Sequence, residues 1–534
     1  MQHLFIDYIV LILIILALVM VANKLRLAYP IVLVLGGLAL SLTDEFSQIT
    51  ISPDLVFLIF LPPLLYEAAW QVSWKEFWRW RRVITSFAFP IVIVTSCVIA
   101  LVSHALIPGF TLSLGFLLGG IISPPDAISA TTIMRQVNVP KPLVSIAEGE
   151  SLLNDASSLI VFRFALAAVI TGQFQASEAA TSFLLVVLMG ISIGLLVGVL
   201  FYIVHRWLPT TPSIDIVLTL VTPYCMYYAA EHFHFSGVLA VVSGGLLLSS
   251  KRQSLLTYQS RIQSVNVWGS FVFVLNGLVF MLIGLQLPSI VQQLGTISLS
   301  TAIGYGLVIS LVLIATRLLC TIGASYFTRI ASRFITVAES NPGWKNPLIL
   351  GWAGMRGVVS LAAAISIPLV IREGEAFPLR NLILFITFIV ILATLVFQGL
   401  TLPWLIRKLK LEADPAVVPE QQQELIIRQT ISRKSLQFLE KTGLSTPYLT
   451  NLSERLTIDL AGLDQKAGGA GNSNALGDYQ RTYLELLQQQ RTWLSEINRQ
   501  TDFDEDLIRK HLSLIDLEEL KIREKLVQED EPER

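Results

Sequence analysis

Charge is what this 534-residue chain has least of: 14% of its residues are Asp, Glu, Lys or Arg, against about 25% in an average soluble protein. That scarcity excludes an ordinary soluble enzyme, and 53% hydrophobic residues with a mean hydropathy of +0.65 point the same way. A basic excess is missing too, since the formal net charge is -1. No bulk positive field therefore argues for nucleic acid. Cysteine is limited to Cys97, Cys225 and Cys320. All three lie in apolar runs without metal-ligand or redox spacing, which leaves them as small buried hydrophobes. The charge that exists is uneven. Residues 1–405 carry 20 Lys and Arg against 16 Asp and Glu, whereas residues 406–534 carry 18 against 23. The chain divides into an apolar part, 1–405, and a soluble tail, 406–534.

A membrane-crossing helix takes about 20 mainly apolar residues. Such stretches are predicted at 4–22, 28–43, 53–71, 83–106, 109–134, 145–171, 179–204, 213–231, 235–250, 266–291, 299–327, 346–371 and 380–404, thirteen in all. The first has no basic residue before it and Lys24 and Arg26 after it, the reverse of a cleavable signal. Cytoplasmic loops accumulate Lys and Arg. With the amino terminus outside, eighteen basic residues fall on inside segments and only Arg372 and Arg380 on outside loops, which puts the carboxyl terminus in the cytoplasm. Between Trp74 and Arg82, three tryptophans alternate with basic residues, the pattern of an interfacial anchor facing anionic lipid. Beyond Arg407, apolar residues at helical spacing (Leu425, Ile426, Ile431, Leu436, Leu439) predict amphipathic helices. A Gly, Ala, Ser and Asn stretch at 466–477 predicts a linker between these and helices near 479–499 and 504–528. The tail carries no phosphate loop, zinc signature or Ser/His/Asp motif, so it reads as a regulatory or assembly appendage.

Charged groups inside a membrane are costly and face interior cavities or ion pathways. In the sixth span Glu150, Ser151, Asn154, Asp155 and Ser158 fall at offsets of 0, 1, 4, 5 and 8, one face of a helix. Such an oxygen-rich stripe suits a hard cation that must shed water. An interhelical hydrogen-bond seam explains it less well, because two acids and an amide within six residues exceed what packing needs. The fifth span contains Pro124 and Pro125 before Asp126, and consecutive prolines remove backbone donors and clash with the preceding turn. A break is predicted there. Seven spans later, Gly351, Gly354 and Gly357 surround Arg356 in apolar sequence and predict a second break. An odd offset reverses direction, as in inverted repeats whose broken helices meet at an ion site. Arg317 in the eleventh span needs an acid, with Glu150 the first choice and Asp126 or Glu67 the alternatives. Arg163 is expected to snorkel outward. His104, His232 and His234 near outer ends of spans, and His205 near the inner surface, read as interfacial residues without an acid partner.

Taken together, Gly149 to Asp155, the Phe60 to Glu67 segment with its paired prolines, and Gly354 to Gly357 resemble the sodium/proton exchanger family, the first monovalent cation:proton antiporter family. The resemblance covers about residues 5 to 405. It implies an all-α polytopic membrane protein of about thirteen transmembrane helices, with inverted repeats and crossing broken helices, plus a helical cytoplasmic tail. It also implies a homodimer in the bacterial plasma membrane that exchanges Na+, or Li+ or K+, for H+ by alternating access. No enzymatic activity and no cofactor beyond the transported ions are implied, and the tail's partner is left open. By position, Asp155 is the ion- and proton-binding carboxylate, Asn154 its neighbour and Ser151 a ligand, so that Asp155 and Ser151 hold the transported Na+. Asp126 is the acid at the crossing, and Glu150 pairs with Arg317. Pro124, Pro125, Gly354, Arg356 and Glu67 belong to the crossing and core motifs. One departure is visible: the usual threonine before the crossing aspartate is Pro125 here, which removes an oxygen from the ligand set. With a single titrating acid the exchange would be one Na+ for one H+. Were Asp126 also to titrate, it would become electrogenic. A cation channel lined by the same stripe is the alternative from another functional class.

Overall fold

The computed structural model describes residues 2–25, 27–42, 56–137, 139–172, 176–292, 294, 297–333, 343–371, 375–409, 411, 420–442, 447–467, 473–497, 511–512 and 514–522. The chain forms two compact units, Met1–Glu412 and Ala413–Arg534. Among the described residues the first unit is helical apart from short joints and an isolated bridge between Val370 and Ala376.

The chain runs through α1 (Gln2–Leu25), α2 (Tyr29–Leu40), α3 (Leu61–Gln71), α4 (Trp74–Ser86) and α5 (Val92–Leu106). The first broken crossing follows as α6 (Leu112–Ile122) and α7 (Ala127–Gln136). Next come α8 (Lys141–Thr171), α9 (Ala176–Trp207), α10 (Pro212–His232), α11 (Gly237–Ser250), the short α12 (Arg252–Leu255), α13 (Tyr258–Leu285), α14 (Leu287–Gln292) and α15 (Leu299–Ala331). The second broken crossing is α16 (Lys345–Trp352) and α17 (Val358–Ile365), and α18 (Arg380–Ala393) and α19 (Gly399–Leu409) complete the unit. Among the described residues, seven helical stretches are long and apolar enough to cross a membrane, and four shorter helices are apolar too.

Local chemistry sets the helix boundaries. Thr111, Thr211, Ser236, Thr257 and Ser298 each accept a backbone N–H three residues ahead and cap α6, α10, α11, α13 and α15. The paired prolines Pro62 and Pro63 occupy the first turn of α3, directly after a π-helical turn, Val56–Phe60, so the chain is already helical where they enter. A π-helical turn, Phe87–Ile91, carries Pro90 and joins α4 to α5 into one continuous crossing. Another, Thr394–Gln398, joins α18 to α19.

Packing sorts the helices into two sides. On one, α2 lies along α13, α9 along α11, and α3 and α10 pack against α11. On the other, α5 and α8 flank α6, and α15 packs on α16 and α18. The backbones of α2 and α13 touch so closely that a Cβ on Gly284 would reach the Leu38 amide at 2.5 Å.

The tail unit holds α20 (Glu420–Thr442), α21 (Pro447–Ala467) and α22 (Ser473–Ile497), with a further helical stretch at 514–522. Helix α22 begins inside the stretch read as a linker, and residues 468–472 of that stretch lie outside the described residues. Asp464 accepts from Gln429 at 2.8 Å and from Arg433 at 3.1 Å, joining α20 to α21. Arg491 pairs with Asp516 and Glu519, and Leu487 is fully buried.

Candidate ion-binding site

The two breaks predicted from Pro124–Pro125 and from the Gly354–Gly357 run meet each other. Residues 123–126 interrupt the first crossing and 353–357 the second. They are joined by a backbone bond from the Asp126 N–H to the Met355 carbonyl at 2.7 Å. Gly357 abuts Asp126 so tightly that a Cβ there would sit 2.8 Å from the carboxylate Oδ2.

A helix cut at mid-membrane leaves unsatisfied carbonyls at one cut end and unsatisfied N–H groups at the other. Arg356, only 1% exposed, meets the first need. Its Nε donates to the carbonyl of Ile122, the last residue of α6, at 2.5 Å, and its Nη1 to the Gly354 carbonyl at 2.5 Å. A cation is thus held at a helix C-terminus, where the dipole favours it. Asp126 meets the second need by capping α7: Oδ1 accepts from the Ile128 N–H at 3.1 Å and Oδ2 from the Ser129 hydroxyl at 2.8 Å.

Helix α8 lies against this crossing and presents the polar stripe to it. Asn154, fully buried, donates through Nδ2 to the Pro125 carbonyl at 3.1 Å, while its Oδ1 has no hydrogen-bond partner. The amide therefore binds the very proline that replaces the usual threonine. Ser158 donates to the Asp155 carbonyl at 3.0 Å. Glu150 forms a two-pronged pair with Arg317, Nη1 to Oε1 at 2.8 Å and Nη2 to Oε2 at 2.9 Å, both side chains buried. Arg317 also reaches the Leu350 carbonyl at 3.3 Å, tying α8, α15 and α16 together. Of the three acids open to Arg317 in the sequence, Glu150 takes it, and neither Asp126 nor Glu67 does.

A cavity of about 240 Å³ is lined by Asp155, Asp126, Ser151, Thr131, Asn276 and Glu67, among others. Glu67 also accepts a hydrogen bond from Gln71. At its exposed edge stand Arg135 and Glu148, paired at 2.6 Å. Asp155 is 7% exposed and faces this space. Pro124 and Pro125 line it too, whereas Glu150, Arg317, Gly354 and Arg356 stand behind it as supports.

Two residues from the sequence reading have different surroundings from those expected. His205 is not an interfacial residue without an acid: it is 5% exposed, and its Nδ1 lies 3.0 Å from Asp215 Oδ1. Asp215 Oδ2 also accepts from the Ser260 hydroxyl at 2.7 Å. Arg163 does not simply snorkel, because its Nη2 meets both oxygens of Glu231 at 2.7 and 2.8 Å. Sequence reasoning also missed Asn276 and Thr131, single polar residues on helices that the six-residue motif did not reach.

Comparisons with known proteins place the family and the fold. The family described as sodium/hydrogen exchanger, transmembrane, matches residues 9–408. A sodium, potassium, lithium and rubidium/H(+) antiporter of Bacillus pumilus is 33% identical over 71% of the chain. The chain spans 58% of that relative's length and 61% of that of its Bacillus subtilis counterpart. An uncharacterized Na(+)/H(+) exchanger of Mycobacterium bovis is 30% identical over 94% of this chain and 93% of its own. Among solved structures, the sodium proton antiporter MjNhaP1 of Methanocaldococcus jannaschii superposes with a TM-score of 0.59 at 19% identity, covering 76% of this chain and 99% of that one, which shows a common fold. None of these findings favours the channel alternative. A match across three quarters of the sequence, on a fold that brings two broken helices together beside a buried acidic stripe, makes this integral membrane protein a member of the sodium/hydrogen exchanger family.

Proposed function

We propose that the chain is a transporter, not an enzyme, and that it exchanges Na+ for H+ at Asp155. The carrying observation is that one carboxylate, on the central helix α8 and almost wholly enclosed, faces the cavity beside the crossing. A bare carboxylate in a low-dielectric interior is costly, so the empty site resists crossing the membrane. Binding one proton or one Na+ removes most of that cost. Both cannot bind together, and their competition is the coupling.

Around the cation, Asp155 and Ser151 supply oxygen, with Thr131 and Asn276 on the facing walls as further donors of the hard oxygen type Na+ prefers. Asp126 is already engaged through both carboxylate oxygens in capping α7. That engagement favours a single titrating acid and electroneutral one-for-one exchange. Arg135, at the cavity edge and paired with Glu148, belongs to the segment assigned to the inside by the loop charges, so the conformer is read as open to the cytoplasm. In this reading the amino terminus is outside, thirteen helices cross, and the protein works as a homodimer in a bacterial plasma membrane, with Li+ or K+ as weaker cargo.

The test is collapse of a preset pH gradient in proteoliposomes on addition of Na+. Wild-type protein should collapse it, and Asp155→Asn should not, while eluting and melting like the wild type. Retained Na+-dependent proton movement in Asp155→Asn would falsify the assignment. Na+ conductance without proton movement would restore the channel.

A further inference from the structure

A second, larger cavity of about 900 Å³ opens between the two sides of the membrane unit. Its walls come from α4 and α8 on one side and from α9 and α11 on the other. Leu153, Ile191, Leu195, Val242 and Leu246 make most of it apolar. Along α11 it runs from Leu239 to Ser250, eleven residues and about 16 Å of helix, roughly the depth of one leaflet of hydrocarbon.

Polar chemistry enters at α4. Arg81 and Arg82 line the cavity with Trp74 and Trp78, and among the described residues no acidic side chain lines it. Beyond Ser250, on the facing side, the chain continues with Lys251 and Arg252. Arg81 is exposed, its Nη1 donates to the Trp78 carbonyl at 2.6 Å, and its guanidinium lies 4.6 Å from the centroid of the Trp78 ring. One donor is used there, of the five a guanidinium carries. Indoles belong at the headgroup level, and guanidinium forks match phosphate oxygens. A groove one leaflet deep, apolar over most of its wall and carrying cations and indoles along α4, has the amphipathic layout of a single lipid.

We infer that this groove binds one anionic phospholipid, its phosphate on Arg81 with the charge of Arg82 beside it, and an acyl chain between α4–α8 and α9–α11. Leu153 in the wall immediately precedes Asn154 and Asp155. A lipid seated there touches the helix that bears the buried carboxylate and the helices opposite it. If those helices move relative to each other, the lipid shifts their equilibrium by whatever difference in affinity it has for the two arrangements.

The experiment is thermal unfolding of the full-length, delipidated protein in neutral detergent, titrated with phosphatidylglycerol, phosphatidylcholine or glycerol phosphate. A ligand of the folded state raises Tm saturably with concentration. Phosphatidylglycerol should do so, and neither of the others should at equal concentration. The shift should vanish in the Arg81→Gln, Arg82→Gln double variant and persist in an Arg407→Gln, Lys408→Gln control, whose charges lie on α19 outside the groove. Ser243→Trp, which fills the groove and keeps both arginines, should also lose the shift, and it decides the matter if the double variant does not fold. An equal response to phosphatidylcholine means a nonspecific apolar surface and overturns the inference. A response to glycerol phosphate alone would mean a simple anion site and overturn it likewise, as would an undiminished shift in both groove variants.

Discussion

At the scale of single residues, the buried pair Glu150 and Arg317 shows how burial changes what an ion pair is for. Taking both charges out of water cancels most of their attraction, so the pair adds little net stability, yet removing one partner strands a buried charge at a cost of about 3–5 kcal/mol. Arg317→Ala should therefore lower Tm strongly. Replacing the pair with Glu150→Met and Arg317→Met together should recover most of the loss, since no unpaired charge remains. Melting of the purified variants in detergent checks this, and a double variant as unstable as the single one would contradict it. This pair was legible in the sequence, because a guanidinium in an apolar span must find an acid and α8 offered one facing inward. The His205–Asp215 contact was not. Asp215 near the start of α10 reads as an ordinary first-turn acid. Only the tight return from α9 into α10 brings the imidazole onto it. Arg163 and Glu231, separated by 68 positions, were equally hidden because each alone has a plausible solvated fate.

At the scale of elements, the two breaks could be read from proline and glycine, but their mutual contact could not. Pro124 and Pro125 dictate that α6 must end, and glycine and arginine in apolar sequence suggest the same for α16. Neither motif says that the Asp126 N–H will find the Met355 carbonyl. The π-helical turns were invisible for another reason: an extra residue in a helical turn leaves the apolar run intact. Gly357 tests how much the crossing depends on close approach. A methyl there would lie 2.8 Å from the Asp126 carboxylate, so Asp126 or the 353–357 backbone must shift. Overpacking of this kind typically costs about 1–3 kcal/mol. Gly357→Ala should lower both Tm and exchange rate. Gly323→Ala on α15, with nothing within 4 Å of the added methyl, should leave the exchange rate unchanged and should not lower Tm, since alanine favours a helix interior over glycine. Comparable behaviour of the two variants, read by melting and by pH-gradient collapse, would separate the crossing from the site.

At the scale of the whole membrane unit, α8 connects two ends of different character. Glu148 stands at the exposed edge of the ion cavity, and Arg163, fifteen residues or about 22 Å further along the helix, pairs with Glu231 on α10. Asp155 lies between them. Glu231 also accepts the Gly237 N–H at 3.1 Å, which anchors it to the corner between α10 and α11. The pair thus fastens the acid-bearing helix to the opposite side of the unit at the end away from the cavity. Partly exposed pairs contribute at most about 1 kcal/mol, too little to hold a fold but enough to change a two-state ratio about fivefold. That size would suit a clasp that opens once per cycle of the exchange proposed above. Under the exchange mechanism proposed above, Arg163→Gln and Glu231→Gln should each alter the initial rate of Na+-driven proton movement, with little effect on Tm. The reversed pair, Arg163→Glu with Glu231→Arg, should return the rate toward wild type. Such rescue is the signature of a direct charge contact in a double-mutant cycle. Wild-type rates in both single variants, or a reversed pair no better than either, would mean that the clasp plays no part in the cycle and only decorates the closed end.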